Sequence, residues 1–354
     1  MTNHINPTVR LPNKDTVKRM LVRAATNRLA APILSLSTRG VGTVFMLHRF
    51  ADPELGNAGH DPVGLRAMLS DLRRSGRELL PLQEIVRRAR EGDFARSAPV
   101  AFTVDDGYVD FATVAAPIFA EFDCPVTVFL VTGVLDGHDW YWWDRISFTL
   151  EETRHRTADI CVSGRTMQFG WNSPEERMLV GQAIMDALKV VHNAERLHAL
   201  NLLSFTLEVV VPERPPRRFA PMSWDQVRSC AAMGAAFGAH TVTHPILSQI
   251  GDEEVRHEIE TSWHRLISET TAVTDVFCYP NGGPDDFTPA TIRILEELGF
   301  SSAVTTSPAY VTSATCAATK DASYRIPRFA YPDDAIDMQQ ILSGIERIKA
   351  FLRH

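Results

Sequence analysis

The chain has 354 residues, 45% of them hydrophobic, and a formal net charge of −7. That length bounds one large core or two modest domains, and the acidic balance excludes the basic field that draws nucleic acid. The five cysteines, Cys124, Cys161, Cys230, Cys278 and Cys316, form no CxxC pair and no disulfide framework, which points to a reducing compartment.

Residues 1–40 read as a basic helical extension. An amphipathic helix is expected over 15–36, its apolar positions broken by Arg23, Asn27 and Arg28. That interruption leaves no clean signal-peptide core, so a cytoplasmic protein is expected. Packing of this helix on the domain competes with contact at a membrane surface. No stretch approaches the roughly 20 apolar residues of a membrane span. "VGTVFMLH" (41–48) then reads as a buried strand. A helix over 62–75 follows, with Leu65, Leu69 and Leu72 on one face, and another ends near Gly92. "APVAFTVDD" and "CPVTVFLVTG" are further buried strands, separated by a helix reaching about residue 121. Continuous apolar strands alternating with helices mark a mostly parallel sheet.

The rhythm breaks over 137–220, which reads as a largely helical insertion. It opens on "HDWYWWDRI" and holds a helix start with Ser173 as cap, Pro174 first and Glu176 three residues after the cap. A second helix starts near Asn193, and "VPERPPRRFAP" closes the segment. The rhythm resumes with "SWDQVRSCAAMG", a helix capped by Ser223. Strands at "AAFGAH", "VFCYP" and "SSAVTT" alternate with helices, and "YRIPRFAYP" reads as the last strand. The α/β body, 41–136 with 221–345, suits a (β/α) barrel, with a doubly wound open sheet as the alternative.

Two motifs carry chemistry. Asp105 and Asp106 end the second strand, and adjacent residues of an extended segment point apart. His240 and His244, in "GAHTVTHP", follow a later strand. In a barrel every strand's C-terminal end faces one mouth, so the two motifs can meet. Two histidines and one carboxylate leave coordination positions open, the plan of a catalytic rather than a structural metal site. The second carboxylate stays free as a base.

These residues resemble a family. "FTVDDG" is similar to the TFDDG motif of the polysaccharide deacetylases with the NodB homology domain (carbohydrate esterase family 4), and "HTVTHP" to their H-(S/T)-x-x-H-P motif. "FCYPNGG" (277–283) resembles a variant of their third motif. The resemblance implies a distorted (β/α)7 barrel and a hydrolase that uses a divalent metal, most often Zn²⁺, to remove acetyl groups from N-acetylated sugars of a polysaccharide or glycoconjugate. Carried over by motif, Asp105 is the general base; Asp106, His240 and His244 hold the metal; the Asn281 backbone N–H stabilises the oxyanion. Tyr279, of the same third motif, is a candidate for substrate binding. The Arg that orients the base in the family's third motif is Cys278 here, and the late L-x-H motif that supplies a general acid is absent.

Arg328, beside a predicted strand end, is a candidate to orient Asp105, against an ordinary surface ion pair. His48, at the end of the first strand, is a candidate acid, against a core histidine. Trp142 and Trp143 are candidates for stacking on a sugar, against core packing of the insertion. Cys278 reads as structural rather than nucleophilic, and Asp144 and Arg145 carry no assigned role. Two rivals to sugar deacetylation are hydrolysis of a non-sugar amide or cyclic ureide, and an inactive, metal-retaining carbohydrate-binding protein.

Overall fold

A computed structural model of the chain describes residues 38–94, 98–317, 319 and 321–347. The helix expected over 15–36 lies outside the described residues. Five strands form one parallel sheet in the order β6-β3-β2-β1-β9. They are β1 (Thr43–Leu47), β2 (Val100–Val104), β3 (Val126–Leu130), β6 (Ala235–Ala239) and β9 (Phe329–Ala330). Their register aligns Phe45 with Phe102 and Phe329, Val104 with Val128, and Leu130 with Ala239. β2 and β3 are buried along their whole length, which explains their unbroken apolar sequences: a parallel strand is covered on both faces.

β7 (Val276–Cys278) and β8 (Ser302–Val304) make a separate parallel pair. Val304 bridges to Ile326, just before β9, so parallel pairing carries on from β8 towards the start of β9. No ladder joins β6 to β7 among the described residues. Gly238 lets them approach: a Cβ there would sit 2.9 Å from the Val276 carbonyl oxygen and 2.5 Å from the Phe129 ring. The architecture is therefore α/β around a parallel sheet, with helices outside.

Local chemistry sets the helix ends. Asp61 accepts from the Val63 and Gly64 amides and starts helix Pro62–Arg74, which buries Leu65, Leu69 and Leu72. Ser223 and Gln226 form a reciprocal cap on helix Trp224–Ala232. Such caps satisfy amides that have no partner within the helix.

The insertion holds helices Trp142–Glu152, Pro174–Lys189 and Asn193–Thr206. Ser173 caps the second of these through the Glu176 amide. It also holds an antiparallel hairpin not expected from the sequence, β4 (Thr157–Val162) and β5 (Arg165–Gly170). Ser163 and Gly164 turn it with φ of 49° and 74°, the left-handed pair that suits a two-residue hairpin loop. The insertion has a core of its own, in which Ile146, Leu150, Ile160, Ile184 and Leu200 are buried together. No helix of the described residues is long and apolar enough to cross a membrane.

Candidate active site

The ends of β1, β2, β6, β7 and β8 meet at one cavity of about 340 Å³, lined by His48, Asp105, Asp106, His240, His244, Asn281 and Thr306 among others. The two carboxylates after β2 diverge. Asp105 turns inward, where both oxygens accept from Arg328, at 2.7 and 2.8 Å. Arg328 is wholly buried. It also donates to the Thr305 carbonyl and to Thr103 Oγ1, each at 3.0 Å. Burial acts to raise the Asp105 carboxyl, but the Arg328 guanidinium outweighs it and holds the group well below the ordinary carboxylate range. Cys278 packs against both partners, its Sγ 3.3 Å from Arg328 and 3.5 Å from Asp105. Burial pushes the Cys278 thiol up, so it stays protonated and is no nucleophile. His48 Nε2 stands 3.9 Å from Asp105 Oδ2, its side chain 45% exposed at the cavity edge.

Asp106 turns to the histidines. Its Oδ1 lies 3.6 Å from His240 Nε2 and 3.8 Å from His244 Nε2. The three ligand atoms lie within 4.8 Å of one another, and all three residues are buried. His240 Nδ1 is 2.8 Å from the Cys278 carbonyl, which only accepts. One proton therefore sits on Nδ1 and turns Nε2 to Asp106, the orientation that metal-ligating histidines adopt. Burial lowers the group, but its acidic neighbours, Asp106 among them, outweigh it and raise His240 well above the ordinary imidazole value while no ion is bound. Burial, and then the neighbouring His240, lower His244 to about 3, so it is a neutral imidazole at working pH. A buried carboxylate and two buried imidazole Nε2 atoms that converge in this way fit a divalent cation bound by oxygen and nitrogen, which would take the place of the His240 Nε2 proton.

Neighbours hold the loop that carries both histidines. Buried Glu258 accepts from the Val242 amide at 2.8 Å, the Thr243 amide at 2.9 Å and the Thr243 hydroxyl at 2.7 Å. Thr241 Oγ1 accepts from the His244 amide at 3.0 Å. Sequence reasoning missed Glu258, which lies on helix Asp252–Glu269 with no motif around it. Asn281 lines the cavity with φ of 59°. Its backbone N–H has no protein acceptor among the described residues.

Two of the candidates for substrate contact, Tyr279 and Trp142, reach the cavity while much of each side chain packs behind it. Tyr279 contributes to the cavity wall, but its ring is stacked on Phe287 at 3.8 Å and its hydroxyl donates to the Tyr324 carbonyl at 3.1 Å. Side chains alternate at a strand end: Cys278 faces Asp105, and the Tyr279 ring packs towards the helix layer. Trp142 lines the cavity too, but it also belongs to the core of the insertion, 8% exposed, with the Arg196 guanidinium 5.1 Å from its ring. Trp143 lines the cavity as well and is the nearer to the histidines, its ring 4.9 Å from that of His244 and stacked on Tyr141.

Sequence reasoning also missed a buried cluster on the insertion side. Trp143 Nε1 donates to the Tyr108 hydroxyl at 2.8 Å, and that hydroxyl donates to Asp144 Oδ2 at 2.7 Å. Burial pushes the Asp144 carboxyl up to about 7. The one sequence signal was Asp144 itself, an acidic residue directly after the tryptophan pair that closes "WYWW".

Residues 191–303 match the family model described as polysaccharide deacetylase. No curated protein matches the chain. Among solved structures, the Streptococcus pyogenes deacetylase PplD in complex with acetate aligns with a TM-score of 0.54 and 17% identity, covering 86% of this chain and 98% of that one. IcaB from Ammonifex degensii aligns with a TM-score of 0.53 and 15% identity, over 86% and 97%. A polysaccharide deacetylase from Bacillus cereus aligns with a TM-score of 0.50 and 15% identity, over 86% and 69%. At these identities the structural likeness is one of fold.

Proposed function

From this match to the polysaccharide deacetylase family over residues 191–303, we propose that the chain is a metal-dependent hydrolase that removes acetyl groups from N-acetylated sugars of a polysaccharide or glycoconjugate. The observation that carries the reading is the juxtaposition in one cavity of the Asp106, His240 and His244 donor set with the buried Asp105–Arg328 pair. The seven parallel strands among the described residues support the distorted (β/α)7 barrel that this family implies.

Asp106, His240 and His244 would hold the cation, with Zn²⁺ first among candidates for this O,N,N set. Such an ion supplies Lewis acidity at the acetyl carbonyl and acidifies the attacking water. The rest falls to the chain's own groups. Asp105 takes a proton from that water, one of its oxygens released from Arg328 as the proton arrives. Arg328 keeps the carboxylate ionised and aimed; it fills the place left by Cys278 in the third motif. The Asn281 N–H, without a protein acceptor among the described residues, would take the oxyanion role, and a positioned donor of this kind contributes about 3 kcal/mol in a transition state. His48 stands on the Asp105 side of the cavity, suited to relaying the captured proton to solvent.

Released acetate, measured across a panel of N-acetylated oligosaccharides with metal-loaded protein, tests the reading. Asp105→Asn should keep its metal and lose about 10²–10⁴ in rate, the range for a lost general base. Loaded protein that releases no acetate from any member of the panel, or an Asp105→Asn variant at full rate, overturns it.

A further inference from the structure

We propose that Asp144, supplied by the insertion, donates the proton that lets the amine leave. The proposal rests on reading the site as an amide hydrolase. An amide nitrogen does not depart as an anion from a tetrahedral intermediate, so an acid must reach it. The cavity's other titratable groups are committed elsewhere. Asp105 is paired with Arg328, Asp106 with the histidines, and His48 flanks Asp105. Arg49 pairs with Asp110 at 2.6 Å and keeps its proton at any working pH. Lys189 lies 3.7 Å from Asp186 with its side chain 46% exposed, a solvated cation on the rim.

Asp144 lines the same cavity and is 6% exposed. It sits in the first turn of helix Trp142–Glu152 yet caps no amide there, so helix capping does not account for it. Among the described residues no cation contacts it directly. Its Oδ2 is held by the Tyr108 hydroxyl, and that hydroxyl's own lone pair is taken by Trp143 Nε1. The phenolic hydrogen must therefore point at Asp144. Oδ1 has no hydrogen-bond partner among the described residues, and it is not among the sealed polar atoms that lack one. Oδ1 is thus the oxygen left to carry a proton and present it to the cavity.

The charges around the group agree. Burial acts first and raises it; Tyr108 and Arg49 lower it; Asp106 and Asp110 raise it again, leaving the carboxyl at about 7. It is then protonated in a useful fraction of molecules near neutral pH, the condition for an effective general acid.

In the step itself, the water's hydroxyl has bonded to the acetyl carbon and its proton has gone to Asp105. The C–N bond breaks, its electron pair stays on nitrogen, and nitrogen takes the Asp144 Oδ1 proton. Acetic acid and the amine result. Asp105 then loses a proton to solvent and Asp144 regains one, so one water is consumed.

The test compares the wild type, Asp144→Asn and Tyr108→Phe on an N-acetylated oligosaccharide and on 4-nitrophenyl acetate, whose phenolate leaves without an acid. Asp144→Asn should lose about 10²–10³ in kcat on the amide, stay near wild type on the aryl ester, keep its metal, and lose the alkaline limb of the amide profile. Tyr108→Phe removes a donor that favours the carboxylate, so the alkaline limb should move to higher pH. Equal losses on both substrates, a raised KM with unchanged kcat, or a Tyr108→Phe profile that does not move would overturn the assignment. Wild-type protein that hydrolyses the aryl ester but no N-acetyl sugar would refute the deacetylase reading instead. A wild type that cleaves both and is indifferent to Asp144→Asn would refute this proposal alone.

Discussion

Replacing Arg328 with Met removes the guanidinium that holds both oxygens of Asp105. Arg328 is 0% exposed and Asp105 3%, so water does not restore the lost bonds. Deleting one partner of such a buried pair costs about 3–5 kcal/mol. Titration gives the same scale. In the wild type burial acts to raise the carboxyl, Arg328 outweighs it, and the folded-state value lies below the unfolded one. The pair's stabilisation is therefore complete above the unfolded value of about 4, and is lost as pH falls below it. Without Arg328 burial dominates and the folded value rises above the unfolded one. A rise of about 3 units, ordinary for a buried carboxyl, costs about 4 kcal/mol at neutral pH, at about 1.4 kcal/mol per unit. That loss disappears as the pH falls towards about 4, where both states are protonated. Stability of Arg328→Met should thus fall with rising pH over a window in which the wild type holds steady. Urea unfolding of chelator-treated proteins between about pH 4 and 8 reads this directly. The double variant with Asp105→Asn should recover much of the loss, since no buried charge remains. A loss below about 1 kcal/mol, or one that does not change with pH, would refute the reasoning.

His240→Ala or His244→Ala should strip most of the bound divalent ion, measured by metal analysis of purified protein, because each removes one of three ligands. The double variant with a stoichiometric ion still bound would remove this metal assignment. The two tryptophans should separate: Trp142→Ala should cost about 3–5 kcal/mol in unfolding measurements, as a large core truncation does, whereas Trp143→Ala should raise KM for an oligosaccharide several-fold with a smaller change in stability. Reversed effects would put Trp143 in the core and Trp142 at the substrate.

The parts of this protein that read clearly from sequence are those with local causes. β1, β2 and β3 announce themselves as unbroken apolar runs because both their faces are covered. Ser223 and Ser173 announce helices because a cap is a contact between neighbours in the chain. The carboxylate pair and the two histidines stand at strand ends, where chain direction alone brings them to one mouth. What did not read clearly depends on partners far away. Arg328 meets Asp105 because β9 lies beside β1 and one strand from β2, an order that no local pattern states. Tyr279 reaches the cavity wall, but the pleat stacks its ring on Phe287, a partner that its motif does not announce. The hairpin hid behind a short alternation, Ala158, Ile160 and Val162 buried between exposed neighbours, in a segment dominated by helical patterns. Asp144 carried no assigned role, and only the fold shows that its carboxyl meets Tyr108 instead of an amide of its own helix.

Backbone strain ties the legible residues to the illegible ones. Non-glycine residues with positive φ among the described residues are Asp106, Asp123, Ser163, Glu208, Thr241, His244 and Asn281. Asp106, His244 and Asn281 line the cavity, and Thr241 holds His244. Such conformations cost about 1–3 kcal/mol each and persist only where the surroundings over-determine them. The surroundings here are visible. The Tyr141 hydroxyl donates to the Asp106 carbonyl at 2.6 Å, Glu258 accepts from the consecutive Val242 and Thr243 amides, and the Thr306 amide donates to the Gly282 carbonyl at 3.0 Å. None of these bonds uses a proposed metal ligand's side chain. The donor set is therefore shaped by the frame around it before any ion arrives, which is the arrangement a catalytic centre needs when its geometry must not relax between turnovers.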